Sequence, residues 1–204
     1  VVLRNSGVAY TFTTKGGGIA RAELLASKDP VALNAHGKAA MGALGGGMNQ
    51  WDDLNYRIVS KTGSGIILEA EAPDRLVIRK EYTLTEGKGG NASLLEFRLS
   101  FTNKAGGNIR RDNLFLYTGA AHSLRPDEIV KPGFCWNDAG DAAYKDTSYF
   151  GSRWFGGNTT ELQKPLDRAR WAGVIRDSRK PWFRSAVRSA RTSAAASSGT
   201  CESG

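Results

Sequence analysis

The sequence predicts an all-β protein, a sandwich of packed antiparallel sheets, and three observations predict it. Apolar and polar residues alternate with a period of two in several segments, which puts one face of each strand on a core. Glycines and Pro-Asp or Gly-Asn turns separate those segments. The segments also come in neighbouring pairs, the arrangement of hairpins stacked in two layers.

In GVAYTFTTKGG, Val8, Tyr10 and Phe12 alternate with Ala9, Thr11 and Thr13, so this is a strand with one buried face. Gly16, Gly17 and Gly18 end it at a turn that requires positive φ. IARAELL then reads as the returning strand of a hairpin. Residues 34 to 50 carry Gly42, Gly45, Gly46 and Gly47 with neither strand nor helix period, and are expected to be a loop. IILEAEA, the Pro73-Asp74 turn and LVIRKEYTLT form a second hairpin. LLEFRLSFTN, a turn at KAGGN and IRRDNLFLYTG form a third, with Leu95, Phe97, Leu99 and Phe101 on its buried face.

Composition narrows the function. A hydrophobic content of 40% and a charged content of 24% describe a soluble globular chain, and no apolar run approaches the roughly 18 to 20 residues that span a bilayer. The chain opens on Val1 rather than Met and is read as a piece of something longer. The formal charge of +8 suggests nucleic acid, but half of it lies from Arg176 onward, where six Lys or Arg face two acids. Phosphate-driven affinity needs clustered cations on the folded body, so no nucleic-acid partner is expected. The two cysteines, Cys135 and Cys201, make neither a disulfide framework nor a four-ligand zinc site.

The most unusual stretch is PGFCWNDAGDAAYKDTSYFGSRWFGG, residues 132 to 157, with three acids and seven aromatics among glycines. A calcium loop needs alternating oxygen ligands and a closing Glu, and no Glu follows until Glu161, so no metal is expected. A hydrolase needs a histidine base beside its nucleophile, and only His36 and His122 are present, with no G-x-S-x-G elbow. Asp127, Glu128, Asp138 and Asp141 could pair for glycoside chemistry, with Trp136 and Trp154 stacking on sugar rings. GGGIAR lacks the phosphate-loop pattern. Docking or packing of aromatics is the reading that remains.

TFTTKGGGIARAEL, KEYTLTEG, LLEFRLSFTN, DNLFLYTGAAHSLRPDE, PGFCWNDAGD, KDTSYFG and RWAGV occur in this order. Together, from about Val2 to Val174, they resemble the large periplasmic domain of bacterial YidC-type membrane protein insertases. The resemblance implies a β-supersandwich of the galactose mutarotase kind, two twisted antiparallel sheets with few short helices. It implies a non-enzymatic accessory module on the periplasmic side of the inner membrane, with no cofactor. Its implied partners are Sec translocon components and nascent membrane proteins, and membrane attachment would come only through helices outside this chain.

The expected organisation is a periplasmic β-supersandwich domain over residues 1–175, followed by a basic Arg/Ser/Ala-rich tail over 176–204 that is either disordered or read out of frame. The docking residues expected are Tyr117, His122, Trp136, Tyr149 and Trp154, with no catalytic residue. A soluble carbohydrate-binding or mutarotase-like protein of the same fold is the competing reading.

Overall fold

The structure is a computed structural model of the chain. It describes residues 1–25, 31–34, 38–47, 50–85, 94–111, 114–119, 133–138, 141–146 and 169–175. The chain divides into two compact units, Val1–Glu128 and Ile129–Gly204. Among the described residues every regular element is a β-strand, and no helix is long and apolar enough to cross a membrane. The protein is therefore all-β, with its strands in several antiparallel sheets.

The first unit holds β1 (Val2–Arg4), β2 (Val8–Thr13), β3 (Gly18–Leu24), β4 (Val31–Leu33), β5 (Leu44–Gly47), β6 (Gln50–Trp51), β7 (Arg57–Lys61), β8 (Gly65–Glu71), β9 (Leu76–Leu84), β10 (Leu95–Asn103) and β11 (Phe115–Leu116). They form sheets in the orders β1-β2-β3-β4, β10-β9-β8-β7 and β11-β5-β6. Period-two burial decides which faces meet. Val8, Tyr10 and Phe12 of β2 share one buried cluster with Ile66, Leu68 and Ala70 of β8 and Leu76, Ile78, Tyr82 and Leu84 of β9. An edge-on contact between the Phe12 and Tyr82 rings, 4.9 Å between centroids, joins the two four-stranded sheets across that core.

The β2–β3 and β8–β9 hairpins form as the alternation predicts. At the latter, Arg75 takes φ 65° and donates its N–H to the Ala72 carbonyl, while Asp74 accepts from the Leu76 N–H. Two other expectations are corrected. The glycine-rich segment from 34 to 50 is not wholly loop, because Leu44–Gly47 is a strand between β6 and β11. The backbone carbonyl of Gln50 occupies the space a Cβ on Gly45 would need, so glycine here permits close strand approach instead of breaking the sheet.

The third hairpin is likewise not formed as expected. The turn after β10 exists, with Asn103 accepting from the Ala105 N–H and donating to the Gly107 carbonyl. Residues 108–111 do not return beside β10, and Arg111 instead reaches Asp74 at 2.6 Å. The next strand, β11, pairs with β5. β10 is thus an edge strand among the described residues, and its inner face is only partly covered. Leu95, Phe97 and Leu99 are half-buried, whereas Phe101 is 42% exposed.

The second unit holds β12 (Gly133–Asp138), β13 (Asp141–Asp146) and β14 (Ala169–Ile175) in the order β13-β12-β14. Residues 133–138 and 141–146 of the aromatic stretch thus pair as antiparallel strands, with Asp138 opposite Asp141. The Trp-Ala-Gly-Val run of β14 pairs antiparallel with β12. The basic segment 176–204 lies outside the described residues.

Candidate functional site

The inward face of β9 reads Leu76, Ile78, Lys80, Tyr82 and Leu84, so the strand's register carries a lysine into the core. Lys80 is fully buried, at 0% exposure. Its Nζ donates to the Gly16 carbonyl at 2.7 Å and sits 4.3 Å from the centroid of the Tyr56 ring. Burial disfavours the ammonium and pulls its pKa down to about 8, against the opposing pull of the Asp52 carboxylate.

The acceptors exist because of the glycine turn between β2 and β3. Gly16 and Gly17 take φ of 70° and 56°, which aims their carbonyls inward. Tyr82 donates its hydroxyl to the Gly17 carbonyl at 3.0 Å, and the face of the Tyr56 ring lies directly against Gly17. Asp52 is half-buried and accepts from the Leu54 N–H at 3.2 Å and from the Tyr56 hydroxyl at 3.5 Å. Burial raises the Asp52 pKa, and Lys80 is the first influence opposing that rise. Tyr56 and Tyr82 are both pushed up, chiefly by burial, and so remain neutral hydroxyl donors. Tyr82→Phe removes the donor to Gly17 while keeping the ring, and is expected to cost about 1 to 2 kcal/mol in urea unfolding.

A second group of side chains lies on the β11-β5-β6 sheet. Phe115 and Trp51 both pair in register with Gly45, one from each side, so they share a face of the sheet. Tyr117, two residues beyond Phe115, continues on that face and is held there by its N–H donating to Ala43 and its carbonyl accepting from Gly42. The rings of Trp51 and Tyr117 are 5.0 Å apart and tilted by 56°. Both are half-buried, and Phe115 beside them is 38% exposed. Burial raises the Tyr117 phenol, opposed by a hydrogen bond with the Lys38 backbone.

On the outer face of β7, β8 and β9, a shallow cavity of about 290 Å³ is lined by Asn55, Arg57, Glu69, Glu71 and Lys104. Arg57 pairs with Glu69, Arg79 with Glu69 and Glu81, and Lys104 with Glu71. The charges compensate one another, as a solvated ladder of surface ion pairs does. Among the described residues no three or more His, Cys, Asp or Glu side chains gather where they could hold a metal ion.

Of the docking residues expected from sequence, Tyr117 is on the aromatic face just described. Trp136 lies in β12, paired with Ala143 on one side and Ala172 on the other, in the second unit. His122, Tyr149 and Trp154 lie outside the described residues, as do Asp127, Glu128 and His36. Trp51 and Lys80 were not singled out by sequence reasoning. The inward parity of Lys80 was available from Ile78 and Tyr82, whereas nothing local marked Trp51 as the partner of Tyr117. Comparison with protein-family models, with curated proteins and with solved structures finds no match to the chain.

Proposed function

We propose that the chain is the accessory periplasmic domain of a YidC-type membrane protein insertase, a docking module without catalysis built on a β-supersandwich. The observation that carries the docking reading is the Trp51–Tyr117 pair with Phe115 beside it on one face of a short sheet. Half-exposed aromatics fixed to hydrogen-bonded backbone are the side chains that anchor apolar partners. The fold reading is supported by two four-stranded antiparallel sheets sharing one core.

The family reading rests on the ordered set of sequence pieces. Its most specific start, Thr-Lys-Gly-Gly-Gly-Ile, coincides with a strand followed by two positive-φ glycines. Its close, Trp-Ala-Gly-Val, coincides with a paired strand. The partners follow from the same resemblance: a Sec translocon component or a nascent membrane protein, met on the periplasmic side of the inner membrane.

Two titrations separate this function from the carbohydrate reading. Purified Sec translocon in detergent is expected to bind the chain saturably, and oligosaccharides are expected to leave its tryptophan fluorescence unchanged. A saturable sugar response without translocon binding would transfer the chain to the mutarotase-like class.

A further inference from the structure

We propose that the buried Lys80 ammonium controls how the Trp51–Tyr117 pair is presented, so that the docking face is coupled to pH. This rests on the reading of that pair as a docking surface. The coupling has two short routes. Asp52, which accepts from the hydroxyl of the Tyr56 ring that Lys80 lies over, is the residue next to Trp51, and its N–H donates to the Leu44 carbonyl of β5 at 2.7 Å. Tyr82, two residues from Lys80 on the same face of β9, places its hydroxyl against Gly42, whose N–H donates to the Tyr117 carbonyl at 2.7 Å.

The groups around Lys80 define what its proton does. Asp52 and Tyr56 face it from the segment after β6, and Tyr82 stands beside it on β9. The glycine turn offers only the Gly16 carbonyl. Asp53 acts on Asp52, and Arg111 acts on Tyr56. Among these, Lys80 is the cation that favours the charged form of half-buried Asp52. When Lys80 loses its proton, Asp52 keeps, among the described residues, the Leu54 N–H and the Tyr56 hydroxyl. A partly desolvated carboxylate stripped of its cation turns toward water, and Trp51 moves with it. The neutral amine keeps the Gly16 carbonyl as its acceptor, so the core itself stays closed.

The test uses the free chain labelled with 5-fluorotryptophan, followed by fluorine NMR from roughly pH 6 to 10. The chain has five tryptophans, and Trp51→Phe identifies the Trp51 signal. That signal is expected to titrate with a midpoint at about 8. Asp52→Asn removes the carboxylate that raises the Lys80 pKa, so the midpoint moves lower and the shift shrinks; Lys80→Met abolishes the titration. A flat Trp51 signal, or an Asp52→Asn titration identical to wild type, overturns the coupling. Should Lys80→Met fail to fold, the Asp52→Asn comparison decides alone. No partner is present in this experiment, so its failure leaves docking untouched, and failure of translocon binding leaves the titration to be seen.

Discussion

Gly17→Ala is expected to destabilise the folded chain by about 3 kcal/mol or more, the sum of a left-handed backbone penalty and an overpacked contact. Gly17 has φ 56°, and a Cβ there would lie 2.5 to 2.7 Å from three carbons of the Tyr56 ring. The ring has little room to move, because it is buried in the core with the Lys80 ammonium over it and its hydroxyl bonded to Asp52. Urea unfolding measures the loss. Gly46→Ala is the control, since a Cβ at Gly46 meets nothing within 4 Å and its φ is not positive. That variant is expected to change stability by less than about 1 kcal/mol. Equal effects of the two substitutions would mean that the turn is not clamped as described.

Stability is expected to rise between about pH 8 and 10, opposite to the decline that deprotonating a paired surface lysine would give. The folded Lys80 pKa of about 8 lies below the ordinary 10.5, so between those values the unfolded chain binds more protons than the folded one. The contribution is complete above 10.5 and is lost as pH falls through about 8. Its full size is about 3 kcal/mol. The tyrosines limit the window from above. Tyr10 is pushed up to about 12, and Tyr56 and Tyr82 higher, so stability present below their ordinary value of 10.0 is lost as pH climbs through their folded values. Unfolding free energies across this range check the rise, and Lys80→Met is expected to flatten it. A wild-type chain whose stability falls steadily from pH 8 would show that Lys80 is solvated.

Local pattern made much of the fold legible. The alternation of Val8, Tyr10 and Phe12, the glycine turn and the strand after it, and the β8–β9 hairpin are all short-range features, and each formed where the pattern put it. The misreadings have one physical cause, which is long-range pairing. Leu44–Gly47 has no strand signature of its own and becomes a strand because β6 and β11 bind its backbone. β11 was expected beside β10 but pairs with β5, a partner from a distant stretch of the chain, and local periodicity does not encode such a choice. The site was less legible than the fold. Tyr117 was named from sequence, yet the ring it meets, Trp51, comes from a distant segment, and Lys80 sits in Arg79-Lys80-Glu81, a run that looks wet until the parity of Ile78 and Tyr82 is followed.

The most direct measurement of the central claim is the equilibrium affinity of the chain for purified Sec translocon in detergent, wild type beside the Trp51→Ala, Tyr117→Ala double variant. Losing paired anchor aromatics from a docking face costs about 2 kcal/mol or more, so the double variant is expected to bind at least roughly thirtyfold more weakly while its circular dichroism stays that of a β protein. Binding of equal strength by the two proteins would contradict the account, because the face that carries the docking reading would then take no part in it.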